Sequence, residues 1–177
     1  MIVISQALVL SAGEAALDAN SPLIGWHSVV TPAGVTTLNA GASYPVSNLA
    51  NPATHLDWRM TTAALSWVMI ETNYSDPIDY VAIARHNFHS AQIAVYVEGY
   101  IGGVWTMLTD WTLLPDAGPA LFRFSPCIAS HIRLWFGAGT APARCAVVYA
   151  GKLLVMERRV YAGHTPLPHA RKASVSS

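Results

Sequence analysis

Apolar and polar residues alternate with a period of two over much of the chain, and long amphipathic helical patterns are absent. Ile93, Val95 and Val97 fall on one side of such a run, with Gln92, Ala94, Tyr96 and Glu98 on the other. Ile132, Leu134 and Phe136 alternate in the same way with His131, Arg133 and Trp135. Val81 and Ile83 alternate with Tyr80, Ala82 and Ala84, and the small alanines suit a strand covered on both faces. Further strands are expected at Leu65–Glu71, Leu121–Phe124, Cys145–Tyr149 and Leu153–Val160.

The breaks between these runs set the architecture. Gly102-Gly103 separates Ala94–Tyr100 from Val104–Leu108, a hairpin signal. Pro115, Gly118 and Pro119 interrupt the chain before Leu121, and Gly137, Gly139 and Pro142 interrupt it before Cys145. Many short strands at this spacing predict an all-β jelly-roll sandwich rather than a parallel α/β sheet. Ala12–Ala19 is expected to form a short helix, and His164–Ser177 reads as a polar, proline-broken tail that docks on a neighbouring subunit. The division is therefore an N-terminal arm with leading strands over 1–43, a sandwich over 44–163, and a tail over 164–177.

Composition narrows the function classes. At 177 residues and 53% hydrophobic, the chain can bury a proper core. Charged residues make up only 11%, against roughly 25% in an average soluble protein. A surface so poor in charge usually marks contact sites. Ten basic and ten acidic side chains leave no net charge, which argues against a nucleic-acid binder with its basic stripe. Met1–Leu10 is apolar, but it has no basic leading segment and Gln6 interrupts it, so it reads as a strand or arm. No run approaches the roughly 20 apolar residues of a membrane span. Cys127 and Cys145 fit no zinc spacing; buried free thiols are expected, with a cross-strand disulfide as the alternative.

The stretch Tyr44–Arg59 (YPVSNLANPATHLDWR) and the later Ile78–Phe88 (IDYVAIARHNF) carry a family resemblance. With the Ala91–Glu98 strand, the Trp105 hairpin and Ile132-Arg133-Leu134, they resemble the galactose-binding-like (discoidin or coagulation factor 5/8 C-type) β-sandwich. More narrowly, they resemble the version built into bacteriophage tail tips, baseplates and fibre attachments. The resemblance spans about Tyr44 to Val160 and implies a binding and assembly module. Some relatives of this kind hold calcium at the loop matching Asn48–Thr54. Calcium takes roughly 6–8 oxygen ligands, several of them anionic. Here Leu49-Ala50-Asn51 stands where an Asn-Asp pair often lies, and no acid appears before Asp57. No metal or other cofactor is expected.

Individual residues have structural work to do. Asn48 and Asn51 are expected to bond their own backbone and shape the loop. Trp58 is expected to plug the end of the core with its indole N–H on a loop carbonyl, and Asn87 to tie adjacent loops. Arg133 is expected to project outward or meet a carboxylate. His86 and His89 lie at a strand-to-loop junction without a nearby Cys, Asp or Glu to complete a metal site.

No nucleophile elbow, cysteine–histidine signature or phosphate-binding loop is present, and the acids Asp57, Asp76, Asp79, Asp110 and Asp116 are scattered, so no enzyme is expected. Trp26, Tyr44, Tyr74, Tyr100, Trp105 and Trp111 are the candidate contacts for a glycan or a protein partner. The reading is a virion subunit in a phage tail, made in the host cytoplasm. It would bind other tail proteins and copies of itself, with no nucleic acid and no membrane span. The alternative is a carbohydrate-binding module for host-surface glycans.

Overall fold

The computed structural model describes residues 1–10 and 21–156. Among the described residues, twelve strands form two six-stranded sheets. The first sheet holds β1 (Ile2–Ile4), β10 (Ala120–Cys127), β6 (Ile78–His86), β12 (Arg144–Val155) and β2 (Leu23–Ser28) in that order, and β4 (Trp58–Arg59) pairs with the start of β12. The second holds β3 (Val35–Thr37), β5 (Ser66–Glu71), β11 (His131–Phe136), β7 (Ala94–Ile101) and β8 (Val104–Met107), with β9 (Thr112–Leu113) also on β7. The expected jelly-roll sandwich is the fold observed.

The period-two runs turn one face of each strand to the core. On the second sheet Val68, Ile70, Val95, Val97, Ile132, Leu134 and Phe136 are all buried. Burying each such side chain stabilises the fold by about 1.5–3 kcal/mol before entropy is counted. Phe122 and Phe124 face them from β10, and Trp58, Phe88 and Phe136 close one end as an aromatic cluster with ring centroids 5.4 and 5.1 Å apart. Gly102 and Gly103 turn the β7–β8 hairpin at φ of 58° and 88°, a conformation that favours glycine.

Strands of the described residues 1–10 and 21–43 enter both sheets: β1 runs parallel to β10, β2 pairs with β12 and β3 with β5. Several local expectations need correction. β7 starts at Ala94 rather than Ala91, because Gln92 takes φ 53° in a turn where its side chain donates to His89 O. Cys145–Tyr149 and Leu153 onward are one twelve-residue strand, not two. Its Gly151 lies so close to His27 that a Cβ would sit 2.0 Å from the carbonyl oxygen. Val46–Ala50, read as loop, is a 3-10 helix with Leu49 fully buried.

Cys127 and Cys145 are free thiols. Burial pushes their pKa values up to about 11 and about 12, so both stay protonated and unreactive. The expected helix at Ala12–Ala19 and the tail at His164–Ser177 lie outside the described residues. No helix among the described residues is long and apolar enough to cross a membrane.

Candidate functional site

At one end of the sandwich β6 finishes, β4 crosses, and β12 begins. A polar recess of about 150 Å³ opens there, lined by Thr54, His55, Asp57, Arg59, Arg85, His86 and Arg144. The loop before β4 is fixed by its own amides. Asn51 Oδ1 accepts from Ala53 N at 2.9 Å, a local turn of the expected kind. Asn48 does not bond its own backbone: its Nδ2 donates to Asp57 O at 2.8 Å and ties the 3-10 helix to the rim. Asp57 then holds Arg59 through Oδ2–Nε at 2.9 Å, and the Arg59 guanidinium lies 4.0 Å above the Tyr44 ring.

The opposite rim rests on Asn87, whose Nδ2 donates to Pro142 O while its Oδ1 accepts from Arg144 N, both at 2.9 Å. His86 stacks on Phe88 at 4.7 Å, and its two nitrogens meet Gly118 O (2.9 Å) and Phe88 N (3.3 Å). Phe88 N donates to Nδ1, so the proton sits on Nε2 and the ring is neutral. Burial lowers its pKa below the usual value. His89 Nδ1 is bonded to Leu114 O at 2.9 Å, so the two histidines serve different loops. Trp58 lies beneath this rim with no exposed surface. Among the described residues its indole N–H has no hydrogen-bond partner, where a loop carbonyl was expected.

The aromatic residues singled out in the sequence are dispersed. Tyr44 is at the recess. Trp26 and Tyr74 lie toward the other end: Trp26 is 65% exposed on β2, while Tyr74 stacks on His27 at 4.9 Å. Tyr74 also lines a broad, open cleft of about 470 Å³ with Glu71, Asn73 and His131.

Tyr100, Trp105 and Trp111 join the outer face of the second sheet. There the register sets Trp67, Trp135 and Tyr96 side by side on β5, β11 and β7. Trp111 meets Tyr96 edge-on at 4.4 Å. Arg133 pairs with Glu98 at 2.9 Å and covers the Trp105 ring at 3.7 Å, though its Nε has no acceptor among the described residues. Glu98 also accepts from Trp135 Nε1 at 2.6 Å. Burial, followed by the nearby Glu98, raises the Tyr96 pKa.

Trp67, Tyr96 and Trp135 were absent from the sequence candidates, as were Arg59, Arg85 and Arg144 at the recess. The outward alternation of Tyr96, Glu98 and Tyr100 was a usable signal for the first group. Nothing in sequence spacing brings together arginines 26 and 59 positions apart.

No protein-family model matches the chain, and the search of curated proteins found no relative. Solved structures share the fold. Chitosan-binding module 2 from a chitosanase/glucanase of Paenibacillus sp. IK-5, in complex with chitotriose, superposes with a TM-score of 0.60 at 13% identity, covering 70% of this chain and 98% of that one. A Clostridium perfringens module, CpGH89CBM32-5, in complex with GalNAc-β-1,3-galactose, gives 0.58 at 10% identity, with 66% and 93% covered. A Ruminococcus gnavus GH29 fucosidase in complex with fucose gives 0.58 at 16%, but the match covers 71% of this chain and only 26% of the enzyme. The chain thus has the galactose-binding-like β-sandwich fold shared with carbohydrate-binding modules.

Proposed function

We propose that the protein is a carbohydrate-binding module that takes a sugar at the loop-end recess and binds it without chemistry. The observation that carries this reading is the recess itself. It gathers hydrogen-bonding side chains from three separate strands and loops into about 150 Å³, in a fold whose solved examples include modules complexed with chitotriose and GalNAc-β-1,3-galactose. Sugar hydroxyls are met by a few fixed donors and acceptors, and Asp57, His55 and the arginines offer both kinds. A glycan array followed by titration calorimetry tests this. Saccharide binding that weakens in Asp57→Ala, with the fold intact by circular dichroism, is the expected result. Failure to bind any glycan would sink the proposal.

A second reading, a structural subunit of a phage tail within the virion, draws on another region. Beside the aromatic face, Val104 and Met107 on β8, Leu113 on β9 and Trp111 just before it are exposed, on a chain only 11% charged. Such a patch fits a protein contact. Mass spectrometry of purified virions tests it, and absence of the chain there would remove the reading.

A further inference from the structure

The recess carries an unbalanced charge. Three of the chain's ten basic side chains line it, with Asp57 as the one lining carboxylate. Asp57 is committed to Arg59 at 2.9 Å. Asp116 acts on His86 from nearby, but its Oδ1 accepts from Gly118 N at 2.7 Å. Arg85 and Arg144 have no ion-pair partner among the described residues.

Two local features run against stability at this same place. Arg144 and Arg59 are direct partners in the β12–β4 register, and like charges set opposite each other on neighbouring strands are destabilising. Arg85 takes φ 53° inside β6, in the left-handed region that a long L side chain seldom adopts. Asn73 and Gln92, the other non-glycine residues with positive φ among the described residues, lie outside the strands. A like-charge pair and a strained backbone residue at one recess are the departures expected of a site that meets an anion.

We infer that the recess is selective for anionic saccharides, gripping a carboxylate or sulfate ester on the sugar with Arg85 and Arg144. This rests on the carbohydrate-binding reading and names the ligand class of that same site. Guanidinium forks match the oxygens of either anion in a bidentate manner, and the incoming charge offsets the repulsion between Arg59 and Arg144.

Titration calorimetry with three oligosaccharides of equal length tests it: a galacturonate oligomer, the neutral galactose oligomer and a sulfated galactose oligomer. At least one anionic oligomer should bind about tenfold or more tightly than the neutral one, with affinity falling as salt is raised. Preference for the uronate assigns a carboxylate, and preference for the sulfated oligomer assigns a sulfate ester; both support the inference. Arg144→Gln should lose most of that preference, while its Tm holds or rises by about 1–3 °C as the strain on Arg59 is relieved. Arg85→Gln serves as the second variant, with the same loss of preference. Equal binding of neutral and anionic oligomers, or a preference that survives both substitutions, would overturn the inference and leave sugar binding standing. Binding of none of the three, with no glycan bound on the array, would overturn both.

Discussion

The arginines of two regions in this molecule are treated in opposite ways. On the outer face of the second sheet, Arg133 is enclosed: Glu98 pairs with it, Trp105 stacks on it, and the same carboxylate holds the Trp135 indole. At the loop end, Arg85 and Arg144 face a recess without a carboxylate partner among the described residues, and Arg59 alone is paired. Both regions are rich in polar groups, but only the first satisfies most of them internally. A network whose charges are already matched has little left to offer a ligand. An unmatched one is open to an incoming anion. The contrast separates a structural face from the proposed binding site more sharply than counting aromatic residues does.

The comparison can be broken by substitution. Trp58 should give the largest effect, since it supports the recess from the core: Trp58→Ala should cost about 3–5 kcal/mol in urea unfolding. Wild-type stability in that variant would remove the core beneath the site from the argument. Glu98→Ala comes next. It strands Arg133 (18% exposed) and the Trp135 N–H, and should cost about 2–3 kcal/mol. A negligible loss would show that the outer face is no better matched than the recess.

Acid provides a smaller, directional test. The depressed pKa of His86 means that the unfolded chain binds its proton more readily than the folded one. Its contribution is therefore complete above the ordinary histidine pKa of about 6.5 and is lost as pH falls below it toward the folded value. The acid-side decline in Tm should be shallower in His86→Gln than in the wild type. An unchanged slope would show that His86 is not held neutral. The smallest effect belongs to Arg85→Gln, which should alter stability by no more than about 0.5 kcal/mol as an unpaired surface side chain. A larger loss would mean that Arg85 has a structural partner and belongs with Arg133.

Much of the fold was legible because period two is a local signal. Val95 and Val97, and Ile132 and Leu134, face the core by their own alternation, and Gly102-Gly103 turns its hairpin as the pair dictates. Strand order was not legible, and both candidate regions depend on it. Trp67, Trp135 and Tyr96 become a row only because β11 lies between β5 and β7. Arg59 and Arg144 become neighbours only because β4 pairs with β12. The Trp58 indole shows a different limit: its burial follows from its type, but whether a carbonyl meets its N–H depends on the folded loop, and among the described residues none does. The long β12 was read as two runs because Gly151, where the chain passes close to β2, interrupts its apolar pattern.

The Asn87 side chain has a consequence for timing as well as shape. By bonding both Pro142 and the backbone of Arg144, it fastens the loop that leads into β12 to the end of the strand that carries Arg85. The backbone positions that carry the two arginines are thus set before any partner arrives, and the entropy lost on contact falls mainly on the two long side chains. Differences among ligands would appear in how long they stay more than in how fast they arrive.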